Sequence, residues 1–270
     1  MSLQTKPPVG YVDKDEAVSV LRQASARLIA AIRGIRNPDA PAVGKWSARD
    51  VAAHLGDAFT VHHQVARGEN APIDRMDEIA DVNQRLIDAN PERDTGKLAD
   101  RVETALAGYL EFLDALDGDA IVQWAELTIP ISAVVSADVG ECLVHGYDIS
   151  RAEGNPWHID PYHAALVAKG VSPMTIHYVD PVAAQGLNAV FDVRLRGQCR
   201  LELAFEDGAL SIGDPSGRKA DVHISAAPGP FLLVGYGRLG QWTAVAKGQL
   251  LVWGRKPWLA ARFGSLLKNP

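Results

Sequence analysis

From residue 13 to about residue 153, apolar side chains recur every three or four positions, the period of amphipathic helices. The stretch DKDEAVSVLRQASARLIAAI puts Ala17, Leu21, Ala24, Leu28 and Ile32 on one stripe, behind Asp13 with Glu16 three residues on, the spacing of a capping box. SARDVAAHLGDAFTVHHQVARG opens on a similar cap, Ser47 with Asp50, and closes near Gly68. A third helix is expected in DRMDEIADVNQRLIDAN, on Met76, Ile79, Leu86 and Ile87 ahead of Pro91. A fourth follows in TGKLADRVETALAGYLEFLDALDG, on Leu98, Val102, Ala105, Leu113 and Leu116. The fifth, ISAVVSADVGECLVHGYDISRAEG, starts after Pro130 and runs to the break at Gly154-Asn155-Pro156. Mostly short connections between these helices predict an antiparallel bundle.

Beyond EGNPWHID and one more helix ending in HYVDP, the period switches to two. AVFDVRLRG alternates Phe191, Val193 and Leu195 with Asp192, Arg194 and Arg196, and QCRLELAFEDG does the same with Cys199, Leu201, Leu203 and Phe205. Asp207-Gly208 marks a hairpin into ALSIGDP, and ADVHIS and GQLLVWG read as further strands. PGPFLLVGYGR and KPWLAARFGSLLKNP return to helical spacing. The expected architecture is an α+β chain of two domains: a four-helix bundle over 10–155, and over 160–270 a small antiparallel sheet with segregated helices.

Composition narrows the function classes. A chain of 270 residues with 47% hydrophobic residues can build real cores, and a net charge of −6 speaks against nucleic acid as the main partner. Only Cys142 and Cys199 are present, with no CxxC motif, so a reducing cytoplasmic location is expected. MSLQTKPPVGY has the character of no export signal, and no apolar run approaches the ~18 residues of a membrane span. Nothing in the sequence distinguishes a monomer from a homodimer.

The candidate chemistry starts at VAAHLGD. His54 falls between Val51 and Ala58 on the apolar face of the second helix, where a neutral imidazole needs partners for both ring nitrogens. ECLVH on the fifth helix places Glu141 and His145 one turn apart on a common face. Facing helices of a bundle can join such groups into a His, Glu, His metal site with open positions. The stripe Asp138, Glu141, His145 and Asp148 also fits the solvated side of an amphipathic helix, and an inward histidine also fits a satisfied core residue. His62 and His63, about 12 Å further along the axis, are expected at the surface or a pocket mouth. Asn83 interrupts the apolar stripe of the third helix and is a candidate pocket residue. Asp57 and Asp148 are candidates to orient the ligand histidines.

KWSARDVAAHLGD resembles the second-helix signature of the DinB-like superfamily, in particular the mycothiol-dependent maleylpyruvate isomerase family, and ECLVHGYDISRAEGNPW resembles that family's later segment. ADVHISAAPGPFLLVGYGR and KGQLLVWGRKPWLAARFGSLLKNP are similar to the sterol-carrier-like domain attached to it. The resemblance implies a DinB-like bundle in which His54, Glu141 and His145 bind a divalent metal, zinc being the expected one. It implies mycothiol as a low-molecular-weight thiol cofactor, for which Asn83, singled out by its place on the third helix, is the candidate binding residue. It also implies a carboxylate-binding arginine from the second domain, for which Arg238 is the candidate and Arg255 its rival. LGQWTAVAK, between them, aligns with no feature of the family. The implied activity is that of an isomerase or transferase for a small electrophilic acid, with a metal-activated thiolate as nucleophile. A zinc hydrolase using metal-bound water, with Asp57, Asp138 or Asp148 as base, and a non-enzymatic apolar carrier with a structural metal are the alternatives.

Overall fold

The side chain of Asp13 accepts the backbone N–H groups of Asp15 and Glu16, and from this cap α1 (Lys14–Arg33) runs its stripe of Ala17, Leu21, Leu28 and Ile32 into the core. The structure is a computed structural model and describes residues 12–267. The export-signal reading of the first eleven residues, and the outer limits 10 and 270 expected for the domains, lie outside the described residues.

The chain divides into two units. The first spans Asp13–Ile159, and the second begins at Asp160. In the first, α2 (Ala48–Ala66), α4 (Thr95–Ala115) and α5 (Ile131–Ala152) join α1 in a four-helix bundle. Around it, α1 packs on α5 and α4, and α2 packs on α4 and α5. The expected third helix is shorter than its pattern: Met76–Glu78 form a 3-10 turn, and α3 (Ile79–Ala89) then packs against α2 outside the bundle. Two small antiparallel hairpins, β1 (Pro41–Val43) with β2 (Trp46–Ser47) and β3 (Ile121–Trp124) with β4 (Leu127–Pro130), lead into α2 and α5.

The second unit opens with α6 (Pro161–Gly170), capped by Asp160, and the single turn α7 (Ser172–Thr175). Its sheet holds β5 (Ala189–Leu195), β6 (Cys199–Glu206), β7 (Ala209–Gly213), β8 (Val222–Ala226) and β9 (Leu250–Gly254) in the order β7-β6-β5-β8-β9. The sheet is not wholly antiparallel, as the sequence led us to expect: β5 and β8 run parallel. Hairpins fix β5, β6 and β7 as antiparallel neighbours, but the chain then crosses back over the sheet to reach the free edge of β5, and that crossover sets the direction of β8. The remaining helices are α8 (Pro228–Gly235), α9 (Gln241–Ala246), which forms from the unaligned LGQWTAVAK, and α10 (Leu259–Leu266). Phe191, Val193, Leu203, Phe205, Ile224 and Leu259 are buried together on one face of the sheet.

Candidate metal centre

Ser47 ends β2 and starts α2: its hydroxyl side faces the Asp50 backbone N–H while Asp50 accepts the Ser47 backbone N–H, a complete capping box. Two turns later α2 presents His54 toward α5. His54 Nε2 lies 3.2 Å from Glu141 Oε2, and His145 Nε2 lies 3.1 Å from the same oxygen. One ligand atom from each residue falls within 4.8 Å of the others. Donors about 2.1 Å from a tetrahedral centre stand about 3.4 Å apart, so the observed nitrogen–oxygen spacings fit a divalent cation. Both imidazoles are buried, whereas the Glu141 side chain keeps 22% exposure and marks the side that stays open.

The neighbours fix the imidazoles. Asp148, fully buried, stands with Oδ2 3.1 Å from His145 Nδ1, so that Nδ1–H is donated outward and Nε2 faces Glu141. Trp46, from the hairpin before α2, covers the histidines with its ring centroid 5.0 Å from His54 and 6.5 Å from His145. Its indole N–H donates to Gln84 Oε1 on α3 at 2.9 Å. Burial holds His54 below the usual imidazole value, beyond what Glu141 restores. Burial opposes charge on His145 too, but Glu141 and Asp148 outweigh it and push that group up to about 9. Against burial, the same histidines hold the Glu141 carboxyl well below the ordinary range. His54 and Glu141 are therefore in ligating form at neutral pH, and His145 carries the one proton a cation must displace.

Other candidate residues fall into place differently. Asn83 is half-buried on α3, next in the chain to Gln84. Asp57 pairs with Arg101 of α4. Arg238 and Arg255 belong to the second unit: Arg238 Nη1 donates to the Tyr236 carbonyl at 2.7 Å, and Arg255 Nη2 to Asp221 Oδ1 at 2.7 Å. Cys142 is buried, which pushes its thiol well up.

Two expectations are corrected. His62 is not at the surface: it is buried, with Nδ1 against Asp138 Oδ1 and its ring edge-on to Trp124 at 4.6 Å between centroids. His63 is half-buried and lies against Tyr109 and Phe112. Nor is the stripe Asp138, Glu141, His145 and Asp148 a solvated face, since α5 is covered on most of its circumference and both aspartates are wholly buried. The signal for His62 was in the sequence, four residues after Ala58 and three before Val65 on the stripe that buries α2. Trp46 carried no comparable signal, because its contact with the histidines depends on the turn of a hairpin too short to show a period.

Comparison with known proteins gives matches at the level of families and folds. Residues 18–150 match the model of the mycothiol maleylpyruvate isomerase N-terminal domain, and residues 179–268 match that of the SCP-2 sterol transfer family. No curated protein sequence matches the chain. Among solved structures, a histidine-to-alanine mutant of the mycothiol-dependent maleylpyruvate isomerase is similar with a TM-score of 0.53 at 10% identity, over 89% of this chain and 93% of that one. The unmutated form of that isomerase gives 0.50 at 12% identity, over 85% and 91% of the two chains. At these identities the likeness is one of fold.

Proposed function

Because its helical unit belongs to the mycothiol maleylpyruvate isomerase N-terminal domain family and its second unit to the SCP-2 sterol transfer family, we propose that this chain is a divalent-metal- and mycothiol-dependent isomerase or transferase acting on a small electrophilic acid. The observation that carries the reading is the convergence of His54, Glu141 and His145, from two helices, on one point with an open side. These three residues would hold the metal, with zinc as the expected ion. When bound, the metal and mycothiol together would supply a thiolate at neutral pH, well below the ordinary thiol value of ~8.5.

The chain's own residues would do the rest. Asp148 keeps His145 in the tautomer that offers Nε2 inward. The indole of Trp46, anchored on Gln84, walls the histidines and excludes water from that side. Glu141 contributes one negative charge beside two neutral imidazoles, so a bound dication keeps a net positive charge for an anionic sulfur.

Metal analysis of the wild type beside His54→Ala is the first test, with one divalent ion per wild-type chain and loss in the variant expected. Cobalt-loaded protein titrated with mycothiol should then change its visible absorption as sulfur enters. A wild type without stoichiometric metal, or a variant that retains it, overturns the site. Metal without a response to mycothiol overturns the thiol reading and favours water as nucleophile.

A further inference from the structure

In the second unit, strand alternation turns Phe191, Val193 and Leu195 of β5 into the core and leaves Asp192 and Arg194 on the opposite face of the sheet. Register aligns two rows across that outer face. One holds Glu202, Asp192, His223 and Trp253, and the next holds Arg200, Arg194, Ser225 and Leu251. Ser225 is the short member of its row, and beside it opens a cleft of about 620 Å³ bordered by Arg194, Arg200, His223 and Trp253.

The walls of this cleft are fixed. Asp192 takes both nitrogens of the Arg200 fork, Nη2 at 2.8 Å, and its Oδ2 lies 2.7 Å from His223 Nδ1. Burial works against the charge on Asp192, but Arg200 and His223 outweigh it and hold the carboxyl below its ordinary value. The His223 ring held in this way stacks on Trp253, with centroids 5.4 Å apart and planes 13° from parallel. Two groups are left over. Trp253 keeps 50% of its surface exposed, and the Arg194 side chain has no hydrogen-bond or ion-pair partner among the described residues.

We propose that this cleft binds a planar aromatic carboxylate, with its ring on Trp253 and its carboxylate on Arg194. β5 and β9 are two strand spacings apart, about 10 Å, a span that a one- or two-ring acid bridges. Arg194 is the one guanidinium of the cleft left unpaired, because Arg200 is already engaged by Asp192, and a single carboxylate matches its single charge. The cleft shares no residue with the metal centre, since its residues all belong to the second unit, and the proposal does not depend on the reading of that centre.

The test is calorimetric titration of the full chain with 2-naphthoate, alongside its neutral isostere 2-naphthamide. Wild type should bind the acid one to one, and Arg194→Gln should weaken it about tenfold or more. Trp253→Leu should weaken the acid and the amide alike, while Arg194→Gln should leave the amide unchanged. Arg194 is exposed, so its substitution keeps the test decisive even if Trp253→Leu disturbs folding. His54→Ala should bind the acid as wild type does. No saturable binding in the millimolar range, binding indifferent to Arg194→Gln, or binding lost in His54→Ala each overturns the proposal.

Discussion

At His145 two carboxylates act on one ring. Glu141 faces Nε2, and the buried Asp148 faces Nδ1. Replacing Asp148 with Asn keeps an acceptor but removes the charge that makes the imidazole a stronger donor to a metal. Asp148→Asn should therefore lower metal affinity about 10- to 100-fold, read by competition with a chromophoric chelator, while leaving one site per chain. The next residue, Gly146, explains a second part of the same segment. A Cβ there would meet Trp157 Cζ2 at 2.1 Å, so the tryptophan of GNPW packs where only glycine allows it, and the Arg27 guanidinium covers its ring at 3.8 Å. Gly146→Ala should destabilise the chain by about 1–3 kcal/mol through overpacking, visible as a lower denaturation midpoint. At this scale, the three proposed ligands were legible because His54 broke an apolar stripe and Glu141 and His145 shared a face. His62 and Asp138 were not paired in advance, since each is satisfied only by a helix distant in sequence.

Helices were read well because caps and period are local. Ser47 with Asp50 fixed the start of α2, and with it the direction in which His54 points. Ser47→Ala should cost about 1 kcal/mol in a urea transition, and Ser47→Asp should recover most of it. The hairpins β1–β2 and β3–β4 escaped detection because strands of two to four residues show no period, and the parallel pairing of β8 with β5 escaped because strand direction is set by a crossover rather than by either strand's own sequence. Asp221 secures that junction. It accepts the Val190 backbone N–H at 3.1 Å and pairs with Arg255 and Lys256 beyond β9. Burial disfavours its charge, but these partners hold its carboxyl below the ordinary value of about 4. A folded-state value below the unfolded one stabilises the fold above the unfolded value and ceases to do so as pH falls through the folded one. Wild type should accordingly exceed Asp221→Asn in stability at neutral pH, and the gap should close below about pH 4. A gap that stays constant down to pH 3 would mean that the charge contributes nothing.

For the whole molecule, the division into two units assigns the proposed metal site to one of them. His54, Glu141 and His145 all come from the bundle, whereas the buried cluster around Phe191 and Phe205 belongs to the second unit. A ligand bound only by the folded state stabilises what it binds by RT ln(1 + [L]/Kd), about 2.7 kcal/mol at a hundredfold excess over Kd. That stabilisation should appear in the segments that open when the site is lost. Hydrogen exchange of the full chain with and without a chelator should therefore show protection falling in α2 and α5, the two helices that carry the proposed ligands. Peptides from β5, β6 and β8 should exchange at the same rate in both conditions. Protection falling in those strands while α2 and α5 stay unchanged would remove the metal from the bundle, and with it the reading of His54 as a ligand.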